Sequence, residues 1–189
     1  MPIKIQLFVE GKSDKKFISD YLDHLGLNDV EIIPLKGKGE VKNIPAPRLE
    51  KNQLQGVKNG VIIDADKDKE ESLKELKKYA NFNLFDEIFF FPNDRDPGAL
   101  EVVLENCMSS TKKQDFEHCW FQYESCLDNF PQGFRGPFAK SKVYAYLESV
   151  SPVLHSKFQG IDKVDFKDSS NWDLNVSYLD PLKMFLTKL

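Results

Sequence analysis

Residues 60–66 read GVIIDAD, and residues 7–17 read LFVEGKSDKKF. The first stretch is a short continuous apolar run, Gly60 to Ile63, that stops at an acid. Such a run suits a central parallel strand, whose two faces are both covered. Working outward, residues 3–9 read as another strand, ending at Glu10 and Gly11. Residues 30–35 form a third and run into the loop GKGEVKN. Residues 87–91 (EIFFF) form a fourth and run into the turn-rich PNDRDPG.

Helical patterns fill the gaps. Phe17, Ile18, Tyr21, Leu22 and Leu25 mark one face of a helix, with Ser13 or Asp14 expected as its cap and Gly26 as its stop. Ile44, Leu49 and Leu54 suggest a helix, but Pro45 and Pro47 predict a short or broken one. Residues 68–80 predict a charged helix with Leu73, Leu76 and Ala80 inward. Strand alternating with helix is the signature of an α/β sheet.

After Gly98 the strand pattern stops. Leu100, Val103 and Leu104 begin a helix, and Phe116, Cys119, Trp120, Tyr123, Leu127 and Phe130 predict a longer amphipathic one. The segment PQGFRGP, 131–137, breaks it. A further helix is expected over 140–150, and a last one carries Leu182, Phe185, Leu186 and Leu189. The expectation is a four-stranded, mainly parallel sheet flanked by helices over 1–105, with a mainly helical extension over 106–189 packed on it.

The chain has 189 residues, 41% of them hydrophobic and 30% charged, which are globular values. A formal net charge of −4 lacks the basic excess of most nucleic-acid binders. Cys107, Cys119 and Cys126 form no C-x-x-C pair. They read as buried small apolar residues in a reducing cytoplasm, and His118 with Cys119 and Cys126 fits no common metal spacing. The amino-terminal segment turns polar too soon for a signal peptide, and no apolar run nears the roughly 20 residues of a membrane span.

The chemistry lies in where the acids fall. In open parallel sheets, residues just beyond the carboxyl ends of the strands converge. Glu10 follows the first strand, Asp64 and Asp66 the third, Asp94 and Asp96 the fourth, and Glu101 lies one turn into the next helix. Clustered carboxylates repel one another unless a cation neutralises them, and magnesium takes oxygen ligands of this kind. Plainer roles exist for some: Asp94 and Asp96 suit a turn, Asp66 a helix cap, Glu101 a helix dipole.

LFVEGKSDKKF resembles the first motif of the Toprim domain, shared by topoisomerases, primases, ribosomal-RNA maturases and OLD-family nucleases, and VIIDAD resembles its second. The likeness covers roughly residues 3–105. Ser13-Asp14 after Glu10-Gly11 looks closest to OLD-type Toprim domains. FPND followed by PGALE, with the helical end DPLKMFL, resembles a family of small stand-alone Toprim-like proteins. The resemblance implies Glu10 as metal ligand or general acid–base, Asp64 and Asp66 as a metal-binding pair, Asp14 and Glu101 as ligands of a second ion, and Lys140 or Lys142 as the lysine near a scissile phosphate. It implies Mg2+ or Mn2+, two-metal cleavage of DNA or RNA, and a separate partner ATPase, since no Walker A sequence is present.

Two alternatives stand beside that expectation. One is a non-catalytic module that binds metal with nucleic acid or nucleotide as a subunit or oligomer of a larger assembly, with Trp120, Phe121, Trp172 and Tyr178 at its interface. The other is a haloacid-dehalogenase-like phosphatase, with Asp64 as nucleophile and Asp66 as general acid. Lys12, Lys36, Lys38, Lys42 and Arg48 fall at the first two strand-end loops and predict a basic rim.

Overall fold

The structure, a computed structural model, describes residues 4–129, 139–150 and 160–189. Four strands, β1 (Ile5–Val9), β2 (Val30–Pro34), β3 (Lys58–Asp64) and β4 (Glu87–Phe91), form one sheet in the order β2-β1-β3-β4. Every pairing is parallel, with Val9 opposite Ile62 and Asp64 opposite Phe91. The fold is α/β, and its sheet is wholly rather than mainly parallel.

The helices are α1 (Lys12–Leu25), α2 (Ala46–Leu54), α3 (Lys69–Leu76), α4 (Leu100–Cys107), α5 (Ser110–Asp128), α6 (Ala139–Val150) and α7 (Asp180–Lys188). Alternation along the strands sends side chains to two separate cores. Leu7, Val9, Ile62, Phe89 and Phe91 meet Phe17 of α1, Val103 of α4, Tyr146 of α6 and Leu182 of α7. Phe8, Val61, Ile63 and Phe90 meet Val41, Leu49 of α2 and Leu76 of α3 on the other face. Phe17 packs edge-on against Phe91 and Phe166 at ring distances of 6.4 and 5.4 Å, so α1, β4 and the carboxyl-terminal segment share one core. Among the described residues no helix is long and apolar enough to cross a membrane.

The two faces explain where a site can form. The chain leaves β1 into α1 on one face, and leaves β3 toward α3 on the other. β1 and β3 are neighbours, so their exits part and leave a crevice at the carboxyl edge of the sheet. Strand order alone therefore places Glu10 and Asp64 at a topological switch point.

At the opposite end of the same two strands lies a buried polar network. Gln6 and Asn59 are paired across β1 and β3 and are 6% and 0% exposed. Gln6 Oε1 accepts from Arg48 Nε at 2.8 Å and Asn52 Nδ2 at 2.9 Å, while its amide donates to Glu31. Asn59 accepts from Asn52 at 2.7 Å and donates to the carbonyls of Leu49 and Leu84. These bonds fix α2 against the sheet.

Local expectations fail at identifiable places. Neither Ser13 nor Asp14 caps α1: the helix starts at Lys12, the cap position is Gly11, and no side chain bonds there. Gly26 closes it as expected, at φ +72° with its N–H on Asp23 and Leu22 carbonyls. The broken helix resolves into a 3-10 turn over Lys38–Asn43, then α2 with Pro47 in its first turn. α3 ends at Leu76, leaving Ala80 exposed, and its cap is Asp68 rather than Asp66. On α5 Trp120 is buried, but Cys119 and Tyr123 are exposed, so the predicted apolar stripe is covered over little of its length. Cys119 and Cys126 are exposed and Cys107 alone is buried, which corrects the expectation of three buried cysteines. Trp120 and Trp172 belong to the interior, Tyr178 is half-buried, and Phe121 is exposed. Ile3, Phe130 and the segment 131–137 lie outside the described residues.

Candidate metal centre

Glu10 and Asp64 meet across the crevice. The Asp64 N–H donates to Glu10 Oε2 at 3.2 Å, linking the first residue after β1 to the last of β3. Asp14, in the first turn of α1, is buried at 7% exposure and turns inward toward them. Gly11 permits this approach, since a Cβ there would lie 3.2 Å from Asp14 Oδ2. Glu101, in the first turn of α4, is near enough to add its charge to theirs.

The four acids act on one another electrostatically. Burial, then the neighbouring charges of Glu10, Asp14, Glu101 and Asp66, push the Asp64 carboxyl up to about 8. Asp14 is pushed up to about 6, first by burial. Main-chain N–H groups of Asp14 and Gly11 work against that rise, and Glu10 and Glu101 add to it. Two unit charges about 4 Å apart repel by roughly 4 kcal/mol at an effective dielectric near 20, against about 1 kcal/mol for a hydrogen bond. Asp64 Oδ1 is out of contact with solvent and has no hydrogen-bond partner.

Asp66 stands differently from the other four. Its main chain, at φ +56°, forms a two-bond bridge with Gly98 that joins the loops after β3 and β4. Its carboxylate is 61% exposed and accepts from Lys38 Nζ at 2.9 Å. Lys38 also donates to the Asp64 carbonyl at 3.2 Å and to Ser72 Oγ. The expected Asp64/Asp66 pair is thus divided between the acidic group and a lysine.

Asp94 and Asp96 belong to the turn after β4. Asp94 accepts from the Phe90 N–H and pairs with Lys69 at 3.0 Å. Asp96 is held down at about 2 by hydrogen bonds from Arg95 and Asn93. Of the two lysines, Lys140 faces the group, with Nζ 3.8 Å from Glu101 Oε1, while Lys142 pairs with Glu105 at 3.2 Å. Lys12, Lys36 and Lys42 are exposed as the basic rim requires. Arg48 is exposed too, but bonds to Gln6 toward the amino end of β1 and lies over the Phe8 ring.

A hard divalent cation suits this donor set: every candidate ligand is a carboxylate oxygen, one is buried without a partner, and Lys140 on Glu101 leaves Glu10, Asp14 and Asp64 with no ion pair among the described residues. Among the described residues no three His, Cys, Asp or Glu side chains already stand in ligating arrangement. Repulsion between like charges works against a closed shell of carboxylates with no cation among them. Sequence reasoning found all four acids but missed the clamp of Lys38 and Ser72. The available signal was the loop Gly37-Lys38-Gly39, which follows β2 at the same sheet edge.

The family model described as "Protein of unknown function (DUF3226)" matches residues 4–189. The chain belongs to this family. The DUF3226 match runs unbroken from β1 to α7, so the four acids, Lys38 and the helices that bury the sheet all lie within it. No curated protein and no solved structure matches the chain.

Proposed function

We propose that the carboxyl edge of this sheet is a Toprim-like divalent-metal site, and that the protein cleaves phosphodiester bonds in DNA or RNA with it. The buried, unpartnered Asp64 Oδ1, on a carboxyl pushed up to about 8, carries the reading. A group in that state gains most from a cation. Glu10, Asp14, Asp64 and Glu101 would hold Mg2+ or Mn2+, with Asp66 able to join if it leaves Lys38. A metal bound there supplies an activated water and stabilises charge on the leaving oxygen. Lys140 brings a positive charge to the edge of the group, where it can meet a phosphate oxygen. Exposed Lys12, Lys36 and Lys42 would meet the flanking backbone despite the net charge of −4.

The test is cleavage of supercoiled, nicked and single-stranded DNA and of RNA, in Mg2+ or Mn2+. Expected is metal-dependent cleavage that falls at least about a thousandfold in Asp64→Ala and Glu10→Ala. Undiminished cleavage by Asp64→Ala would refute the site.

A second reading keeps the metal and drops the cleavage: a binding module working with a partner such as an ATPase. Phe121 and Tyr123, 63% and 49% exposed on α5, favour it. Co-purification of a partner with a protein that binds metal but cuts nothing would select it. The phosphatase alternative has less support, because Asp66, its general acid, is turned onto Lys38.

A further inference from the structure

Lys38 is held more tightly than a lysine of a solvated rim. Its side chain is only 14% exposed, and its ammonium has three oxygen partners: the Asp66 carboxylate, the Asp64 carbonyl and the Ser72 hydroxyl. The loop that carries it is fixed to the end of β1, since the Leu35 N–H donates to the Val9 carbonyl at 2.8 Å and the Gly37 N–H to the Glu10 carbonyl at 3.0 Å. Ser72 is fixed in turn by donating to the Ala65 carbonyl at 2.9 Å. The ammonium therefore sits at a built position between the ends of β2 and β3, on main chain that does not depend on Asp66.

Asp66 has the opposite character. It is the exposed partner of the pair, and its main chain is pinned by the bridge to Gly98 whichever way the side chain turns. Rotation of that side chain could carry the carboxylate off Lys38 without disturbing the loop. Asp66 still lies close enough to Asp64 to add to its charge crowding.

We propose that Lys38 is a positioning residue: an internal counter-ion that holds Asp66 out of the metal shell and competes with a divalent cation for it. This rests on the metal reading above. Lys38 is then exchanged rather than merely neutralised. When Asp66 turns to a bound ion, the ammonium is left with two neutral oxygens and can accept an incoming anion, such as a substrate phosphate, in place of the carboxylate. Occupation by metal and recognition of the anion become linked through one ion pair. A scattered surface lysine gives no such coupling, because its ammonium is itself solvated and is held at no fixed position.

Mn2+ affinity, measured by calorimetric titration and by the loss of the free-ion paramagnetic signal, tests this without any assay of cleavage. In Lys38→Met, Mn2+ should bind about tenfold more tightly than in the wild type, as expected for removal of one nearby positive charge and release of one carboxylate. Asp66→Asn alone should weaken binding by only about threefold, less than Lys38→Met strengthens it, because in the wild type Asp66 reaches the ion only after its pair with Lys38 is broken. The double variant Lys38→Met/Asp66→Asn should lose most of the gain, and Lys38→Arg, which keeps the cation, should stay near the wild type. Equal or weaker binding by Lys38→Met, beside normal binding by the wild type, would overturn this inference alone. A full gain that persists in the double variant would also overturn it, because Asp66 would not be the group released. Absence of Mn2+ binding by the wild type would overturn both this inference and the metal reading beneath it.

Discussion

At the amino end of β1 and β3, Gln6 and Asn59 are buried, and every polar atom of their side chains has a partner. At the carboxyl end of the same two strands, Asp64 keeps an oxygen that has none, among acids that raise its proton affinity. Asp64 is half-buried where Gln6 and Asn59 are buried, yet its Oδ1 is shut off from solvent as fully as their polar atoms, and β1 pairs with β3 from Ile5 to Val9. The difference lies in what each end is built to complete. The amides at one end complete each other, which stabilises the fold. The carboxylates at the other end leave Asp64 Oδ1 without a partner, which is the observation behind the proposed site.

The sharpest way to break this contrast is Asn59→Leu. It removes the three bonds that Asn59 makes to the Leu49 and Leu84 carbonyls and to the Asn52 amide, and should cost about 4 kcal/mol of unfolding free energy by denaturant titration. That loss should be equal with and without Mg2+. A loss that Mg2+ reverses would show that the two ends are not separate.

Asp64→Asn should act in the opposite direction, stabilising the metal-free protein by about 3 kcal/mol at pH 8. The sign follows from the raised carboxyl. Below about pH 4 it is protonated in both the folded and the unfolded chain and contributes no difference. From there to about pH 8 the unfolded chain ionises it more readily, so the folded wild type loses stability as pH rises across that window. Thermal unfolding in EDTA from pH 4 to 9 should show this decline for the wild type and a much flatter profile for Asp64→Asn.

Mg2+ at about a hundred times its dissociation constant should restore roughly 2.7 kcal/mol to the wild type and to Asn59→Leu, and little to Asp64→Asn. The smallest effect belongs to Asp96→Asn. Asp96 is solvent-exposed and already satisfied by Arg95 and Asn93, so Mn2+ affinity should not change. A large change there would move the site toward the turn after β4.

Much of this contrast was legible in the residues themselves. The strands declared themselves as apolar runs, three of the four leading into acids, and all four strands fall within a residue or two of where those runs do. The strand-end rule collected Glu10, Asp64 and Glu101, together with Asp66, Asp94 and Asp96, before any distance was known, whereas Asp14 came only from the Toprim resemblance. Hydrophobic patterning could not see the polar contacts between distant loops. Lys38 meets Asp66 across 28 positions, and only its two flanking glycines set it apart from Lys36 and Lys42. Asp14 looked like a cap because Asp often is one, yet Gly11 fills that position and frees the carboxylate to turn inward. The pattern on α5 predicted a deeper apolar face than the structure gives it, since periodicity reports what a helix could bury and not whether another element covers it.

The central claim is that Asp64 is a metal ligand held in a protonated state until the metal arrives. Calorimetric titration of Mn2+ at pH 7, in two buffers of different ionisation enthalpy, measures both parts at once. Saturable binding should release about one proton per ion, because a carboxyl near 8 is mostly protonated at that pH, and both the binding and the proton should be lost in Asp64→Asn. Wild-type-like binding by Asp64→Asn, or binding with no proton exchanged, would contradict it.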